Sequence, residues 1–184
     1  MPALLLSLAL STAPQAAISF GAFASRPLSL SEGLSRGPAA GLELILGDFV
    51  IDAGARMGFA DASDVSYRVA HLELVGTGAL SFTHRAGNGS IGLGLLLAPA
   101  LVRSVRERHQ SERLLGQVIA TDETSVGFGA SLGAIARISA PITKPFGVLV
   151  VAGPTIDWVG ASDPRIGWSG QLMVSYQLSS GAQR

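Results

Sequence analysis

In several segments of this chain, large apolar residues occupy every second position, and the charged residues fall on the positions between them. In the segment Phe49–Phe59 the odd positions carry Phe, Ile, Ala, Ala, Met and Phe, whereas Asp52 and Arg56 occupy even positions. Successive side chains of a β-strand point to opposite faces of the sheet, so one face of this strand is apolar and the other carries glycine and charge. The pattern recurs through most of the chain and predicts a barrel whose apolar face is turned outward, toward lipid.

Composition leaves two ways to place the apolar residues. Hydrophobic residues make up 48% of the 184 residues, charged residues make up 14%, and the mean hydropathy is +0.43. No run of about 18 apolar residues is present, so no helix is predicted to span a bilayer. The apolar residues are then either buried in an all-β core or spread over a lipid-facing barrel. A net charge of zero without a basic patch argues against nucleic acid as a partner, and the absence of cysteine excludes disulfides and thiolate metal sites.

Glycine, proline and polar clusters divide the chain into eight predicted strands. The strands lie at about 17–26, 39–46, 48–60, 66–83, 90–106, 124–140, 146–159 and 165–178. Short connections at 47–48, 84–89 and 141–145 alternate with longer or more acidic ones, of which 107–123 is the longest and most charged. This alternation is typical of outer-membrane barrels, whose strands turn tightly in the periplasm and loop outside. We predict an all-β fold, an eight-stranded antiparallel up-and-down transmembrane β-barrel at 17–178, after a signal peptide or apolar leader at 1–16 and before a tail at 179–184.

The inward face of the predicted barrel carries a set of ionisable side chains. An arginine that faces lipid at mid-bilayer costs about 2–4 kcal/mol, and this cost would enforce the sorting. Residue counts from the turns bring Arg56 beside Glu73 and let Arg137 bridge the bore, so we expect ion pairs that close the lumen. An open polar path for a small solute is the alternative, and the glycine-rich inner face favours it. The predicted lumen cluster comprises Glu43, Asp52, Arg56, His71, Glu73, Arg137 and Asp157.

Two prolines interrupt predicted strands. Pro99 and Pro154 lack the N–H group that a strand donates, and a closed barrel has no edge strand to accommodate them. We therefore expect bulges at these positions, or strands that project above the membrane.

No residue pattern marks a catalytic, cofactor or metal site. His71 is placed near Glu73 and Asp157, but a Ser–His–acid site also needs a nucleophile, and no specific motif supplies one. His109 and Ser111 resemble the His-x-Ser pair of outer-membrane lipid A deacylases, although here the pair lies in a charged loop.

The fifth connection and the strand before it carry an excess of arginine. Guanidinium groups bind phosphate with two parallel hydrogen bonds, and lipopolysaccharide headgroups lie at the height of this loop. The expected partners are therefore outer-membrane lipid and lipopolysaccharide, and the alternative is a solvated loop with internal ion pairs. The candidate phosphate contacts are Arg103, Arg106, Arg108 and Arg113.

The alternating strands, short turns and aromatic residues near strand ends resemble small bacterial outer-membrane β-barrels of the OmpA-like and OmpW-like porin-type families. The resemblance covers 17–178 and implies a bacterial outer-membrane location, insertion by the barrel assembly machinery, and a non-enzymatic structural or surface-interaction role. One departure is that such barrels end on an aromatic residue, whereas here Tyr176 and Leu178 precede a polar tail. The alternatives are a passive channel for small solutes, a soluble lipocalin-like barrel that binds an apolar ligand, and an outer-membrane lipid hydrolase.

Overall fold

The computed structural model describes residues 14–26, 33–63, 67–108, 123–159 and 163–178, and these form a closed barrel of eight strands. Every strand is antiparallel to the next, and β8 pairs with β1 to close the barrel. The predicted fold is thereby confirmed. No helix long and apolar enough to cross a membrane occurs among the described residues. The strands are β1 (Gln15–Ser25), β2 (Ser35–Leu46), β3 (Phe49–Ser63), β4 (Tyr67–Ala86), β5 (Gly89–Arg108), β6 (Glu123–Pro141), β7 (Phe146–Val159) and β8 (Arg165–Leu178).

Strand lengths differ from the prediction mainly at two places. β2 begins at Ser35, four residues before the expected start at 39. β4 continues to Ala86, because the hairpin to β5 turns within two residues, where Gly87 has a φ of 60°. A tight hairpin turn needs a positive φ, which glycine adopts without steric cost. His84 and Arg85, expected in the connection, therefore extend the strand, while β7 and β8 have the predicted bounds.

The prolines are accommodated by gaps in strand pairing rather than by bulges. At Pro99 the β4–β5 pairing stops after Val75 and Ala100 and resumes at Gly78 and Leu97. The register is the same on both sides of the gap, so no extra residue is inserted and the expected bulge is absent. The strand loses pairing only where the N–H is missing. The same two-residue gap occurs in β2–β3 at Pro38 and in β6–β7 at Pro154.

The apolar alternation faces outward, as predicted. Phe128 and Ile166 are 77% and 78% exposed, and the other large apolar side chains of this parity are exposed along every strand. The lipocalin-like alternative requires these side chains inside the barrel and is therefore contradicted. Near the turns, Phe49 packs edge-on against Phe82 with ring centroids 5.5 Å apart, an arrangement that fits an aromatic girdle at one membrane boundary.

The interior contains an apolar core that sequence analysis did not predict. Its members project inward from seven strands and lie between the charged groups at the two ends. An eight-stranded barrel is just narrow enough for side chains to fill its interior, so the glycine-rich inner face does not leave an open bore. The core comprises Phe23, Ala39, Val75, Leu96, Ala98, Ala100, Val102, Ile135, Leu149, Val151 and Met173.

Candidate functional site

The lumen near the turns is bridged by one arginine and two carboxylates. Arg137 projects from β6, and its Nη1 donates to both carboxylate oxygens of Asp52 at 2.9 and 3.1 Å. Its Nη2 donates to Glu43. Glu43 and Asp52 face each other across the β2–β3 pairing, so Arg137 reaches across the bore to both. We call these three residues the septum.

The septum separates a small internal cavity from an open cup. The cavity, on the loop side, has a volume of about 30 Å³, room for roughly one or two water molecules. Leu96, Ile135 and Leu149 are among its walls. The cup opens at the turn end with a volume of about 310 Å³, and Arg85 and Lys144 contribute positive charge to it. The filled interior therefore closes the route between the two ends of the barrel.

A second charged group occupies the lumen nearer the loops. Arg56 on β3 donates through Nη1 to Ser169 Oγ on β8 at 2.5 Å, and its guanidinium carbon lies 4.9 Å from the centre of the Phe23 ring. Glu73 and Asp157 are the acidic groups whose charges act on it. Arg56 and Glu73 lie on neighbouring strands, but the expected ion pair between these two described residues is not formed. Arg56 instead donates its hydrogen bond across the lumen.

His71, Glu73 and two serines form a buried hydrogen-bonded chain beside Arg56. His71 Nε2 lies 2.8 Å from Glu73 Oε1, and His71 Nδ1 lies 2.9 Å from Ser104 Oγ. The second oxygen of Glu73 accepts from Ser35 Oγ at 3.1 Å. His71 and Glu73 are 4% and 1% exposed, so this chain is part of the barrel interior.

Asp157 completes the inward set from β7. It is 4% exposed, and its carboxylate lies over Gly167 of β8, where an added Cβ would overlap it. Glycine at 167 therefore makes room for the carboxylate. The structure thus places all seven residues of the predicted lumen cluster on the inner face, in a turn-side group and a loop-side group.

The arginines predicted to contact phosphate divide between described and undescribed parts of the chain. Arg103 is exposed on the outward face of β5, and Arg106 is exposed near the end of the same strand. Arg108 ends β5, but its side chain lies outside the described set, as does all of Arg113. The His109 and Ser111 pair also lies outside the described residues.

Sequence reasoning missed the serines that complete these networks. Ser104 contacts His71 because the β4–β5 register sets the two residues opposite each other. Ser169 Oγ accepts the hydrogen bond that Arg56 donates from across the barrel. A lone serine in a strand carries no signal of its own, and the only sequence signal for Ser104 is its distance from the β4–β5 turn. In the described ranges, no group of three or more His, Cys, Asp or Glu side chains could hold a metal ion.

Comparison with known proteins identifies the fold but no sequence family. No protein-family model and no curated protein sequence matches the chain. The attachment invasion locus protein Ail of Yersinia pestis, solved in complex with the heparin analogue sucrose octasulfate, is similar with a TM-score of 0.59 and 13% identity, covering 91% of this chain and 100% of Ail. A major outer membrane protein of Thermus thermophilus has a TM-score of 0.55 and 10% identity, covering 91% of this chain and all of that protein.

Neisserial surface protein A is a third neighbour, with a TM-score of 0.51 and 13% identity, covering 90% of this chain and 96% of that protein. These neighbours are bacterial outer-membrane proteins built as eight-stranded barrels. The predicted eight-stranded barrel is therefore confirmed, and so is the predicted location in a bacterial outer membrane.

Proposed function

We propose that this protein is a closed outer-membrane barrel that acts at the outer surface by binding anionic headgroups, chiefly the phosphates of lipopolysaccharide. This role needs neither a chemical reaction nor transport through the lumen. Insertion into the membrane would depend on the barrel assembly machinery, as for other barrels of this shape.

The observation that carries the proposal is an outward groove at the loop end of β3, β4 and β5. The groove has a volume of about 310 Å³, and Phe59, Leu72 and Val105 supply apolar walls beside Arg103. Asp61 is the acidic residue in the same groove. An acyl chain can lie along such walls while a guanidinium binds the phosphate above it.

The height of Arg103 fits this role. A tilted transmembrane strand crosses the hydrocarbon with about 9–11 residues. β5 begins at Gly89, so Arg103 lies 14 residues along the strand, beyond the hydrocarbon and at the level of headgroups. No ion pair joins Arg103 to another residue in the described part of the chain, so its guanidinium is available to a phosphate.

Two further observations support a surface role over the passive-channel alternative. The septum and the apolar core fill the middle of the described barrel, and the cavity beside the septum, at about 30 Å³, is too small to hold a solute. Ail, which has the same fold, was solved with a sulfated polyanion bound. An anion-binding outer surface on a closed barrel accounts for both observations.

The test compares folded protein in phosphatidylcholine vesicles with and without lipopolysaccharide. The readout is the temperature at which the fast-migrating, folded band is lost on SDS gels. Lipopolysaccharide should raise this temperature for the wild-type protein, and Arg103→Ala should lose most of the rise. An arginine near a charged membrane surface contributes about 1 kcal/mol.

Arg85→Ala is the matched control, because Arg85 is also an exposed arginine but lies at the turn end. It should retain the full rise. An equal rise in Arg103→Ala would contradict the groove as the binding site. A rise produced by soluble sucrose octasulfate, but not by lipopolysaccharide, would exclude membrane lipid as the partner.

A further inference from the structure

His71 is held between an acid and a serine hydroxyl. Ser104 lies directly opposite His71 in the β4–β5 pairing, and the two side chains meet on the inner face with His71 Nδ1 2.9 Å from Ser104 Oγ. On the other side of the ring, Nε2 lies 2.8 Å from Glu73 Oε1. Glu73 is fixed in turn, because its second oxygen accepts a hydrogen bond from Ser35.

The hydrogen-bond partners determine which ring nitrogen carries the proton. An ionised carboxylate can only accept, so His71 Nε2 donates its proton to Glu73. In the imidazole tautomer with its proton on Nε2, the lone pair is on Nδ1 and can accept from the hydroxyl of Ser104. In this arrangement the serine hydroxyl donates to an imidazole, and a carboxylate orients the imidazole from the other side of the ring. Such an arrangement activates a serine as a nucleophile.

Space lies next to the hydroxyl on the side of β6. Ser104 is only partly buried, and its partner on β6 is Ser125. Two residues along the same inner face, a Cβ added at Gly127 would meet no atom within 4 Å. Beyond Gly127 toward the turns the inner face is filled, because Ala100 and Ala98 are 6% and 0% exposed. A molecule that reaches Ser104 must therefore enter from the loop end and must be short.

We propose that Ser104 and His71 are catalytic residues of an esterase site that takes small carboxylic esters, with Glu73 as the positioning residue. Ser104 lies 15 residues along β5, past the roughly 9–11 residues that cross the hydrocarbon, so the site lies beyond the hydrocarbon at the loop end. Ser104 lies on the inner face and does not line the Arg103 groove, although His71 borders that groove as well. Neither proposal depends on the other.

The reaction is an acyl transfer followed by hydrolysis. Ser104 Oγ forms a bond to the carbonyl carbon while its proton passes to His71 Nδ1. The bond from that carbon to the alcohol oxygen then breaks, and the alcohol leaves with the proton. Water attacks the acyl-serine with His71 as base, the carboxylic acid is released, and Ser104 regains its proton. One ester and one water give one acid and one alcohol, and no other reactant is consumed.

The experiment uses the folded full-length chain in detergent with two probes, a fluorescent fluorophosphonate and p-nitrophenyl acetate. A fluorophosphonate forms a phosphorus–oxygen bond with an activated serine and releases fluoride. We expect labelling of the wild-type protein, mapped to Ser104 by mass spectrometry, and none in Ser104→Ala. His71→Gln should slow labelling roughly 100-fold, which is within the usual effect of removing a general base.

Ser125→Ala is the matched control, since this serine faces Ser104 on the next strand but has no contact with His71 in the hydrogen-bonded chain. It should label at the wild-type rate. Gly127→Leu should block labelling by filling the open space. Glu73→Gln should slow labelling, and Glu73→Asp should restore part of the rate, because a carboxylate stabilises the positive charge that His71 gains and a neutral amide does not.

Labelling of the wild-type protein at another residue, or at a rate equal to that of Ser104→Ala, would overturn the proposal. An absence of p-nitrophenyl acetate hydrolysis above the rate of Ser104→Ala would do the same. Since the site of labelling is mapped on the wild-type chain, the result does not depend on any variant folding. The migration shift on heating reports separately whether each variant is folded.

Discussion

Arg137 is the residue on which closure of the lumen depends most directly. Its side chain is 2% exposed and neutralises two carboxylates that oppose each other across β2 and β3. Removing one partner of a buried ion pair leaves a charge that neither water nor protein solvates well. Here two carboxylates would be left together, so their mutual repulsion would add to the loss.

Replacing Arg137 should therefore destabilise the barrel strongly. We expect Arg137→Met to lower the free energy of unfolding by about 3–5 kcal/mol. The triple variant with Glu43→Gln and Asp52→Asn should recover most of this loss, because no uncompensated charge then remains. Urea titration of the protein in phosphatidylcholine vesicles, read from the folded band on unheated SDS gels, measures both. Equal urea midpoints for Arg137→Met and the wild type would mean that the septum does not stabilise the barrel.

Charged residues of the interior were predictable from sequence, whereas their neutral partners were not. Placing Arg137 opposite Glu43 and Asp52 needs only strand parity and a count of residues from the turns. Ser104 differs because its pairing with His71 depends on the register of β4 and β5, which the two-residue turn at Gly87 sets. The prediction counted His84 and Arg85 as part of a longer connection, so the exact register was not available from sequence.

At the level of strands, each outward position is constrained by its depth in the bilayer. Leu95 and Ile142 are both large aliphatic residues, and their exposed fractions are similar, at 65% and 61%. Leu95 lies six residues beyond the start of β5, near the middle of the roughly 9–11 residues that cross the hydrocarbon. Ile142 lies in the β6–β7 turn. The two positions therefore differ mainly in depth.

Arginine at these two positions should separate the effect of depth from that of exposure. Leu95→Arg should cost about 2–4 kcal/mol of stability in vesicles, whereas Ile142→Arg should cost about 0–1 kcal/mol. Urea midpoints of the two variants and the wild type measure the difference. Equal costs would show that the outward face does not contact hydrocarbon, and they would contradict the membrane-spanning barrel.

Strand positions were predicted well where glycine and proline mark true ends, as at β7 and β8. They were predicted poorly where proline lies inside a strand. Pro38 was read as the end of a connection, but it faces outward within β2 and only interrupts the pairing with β3. A gap in the pairing leaves no signature in the alternation of side chains, so sequence patterns could not distinguish it from a bulge or a strand end.

For the molecule as a whole, closure results from interior packing as well as from charge. Leu96, Ile135 and Met173 belong to an apolar core that fills the bore next to the septum. These side chains occupy the same parity as the charges, and the inward positions two residues before and after each of them carry small or polar residues. Whether such scattered residues meet depends on the diameter and stagger of the barrel. The open or closed state of the lumen therefore required the three-dimensional structure.

The orientation of the barrel across the membrane follows from its two unequal ends, with the tight turns predicted to lie in the periplasm. The chain contains no cysteine, so single cysteines introduced at the ends report orientation without background. Asp163 is exposed at the loop end before β8, and Thr143 is exposed in the β6–β7 turn. A membrane-impermeant maleimide added to intact cells should label Asp163→Cys, and it should label Thr143→Cys only after the outer membrane is permeabilised. The reverse pattern would place the loops in the periplasm, and the Arg103 groove would then face inner-leaflet phospholipid instead of lipopolysaccharide.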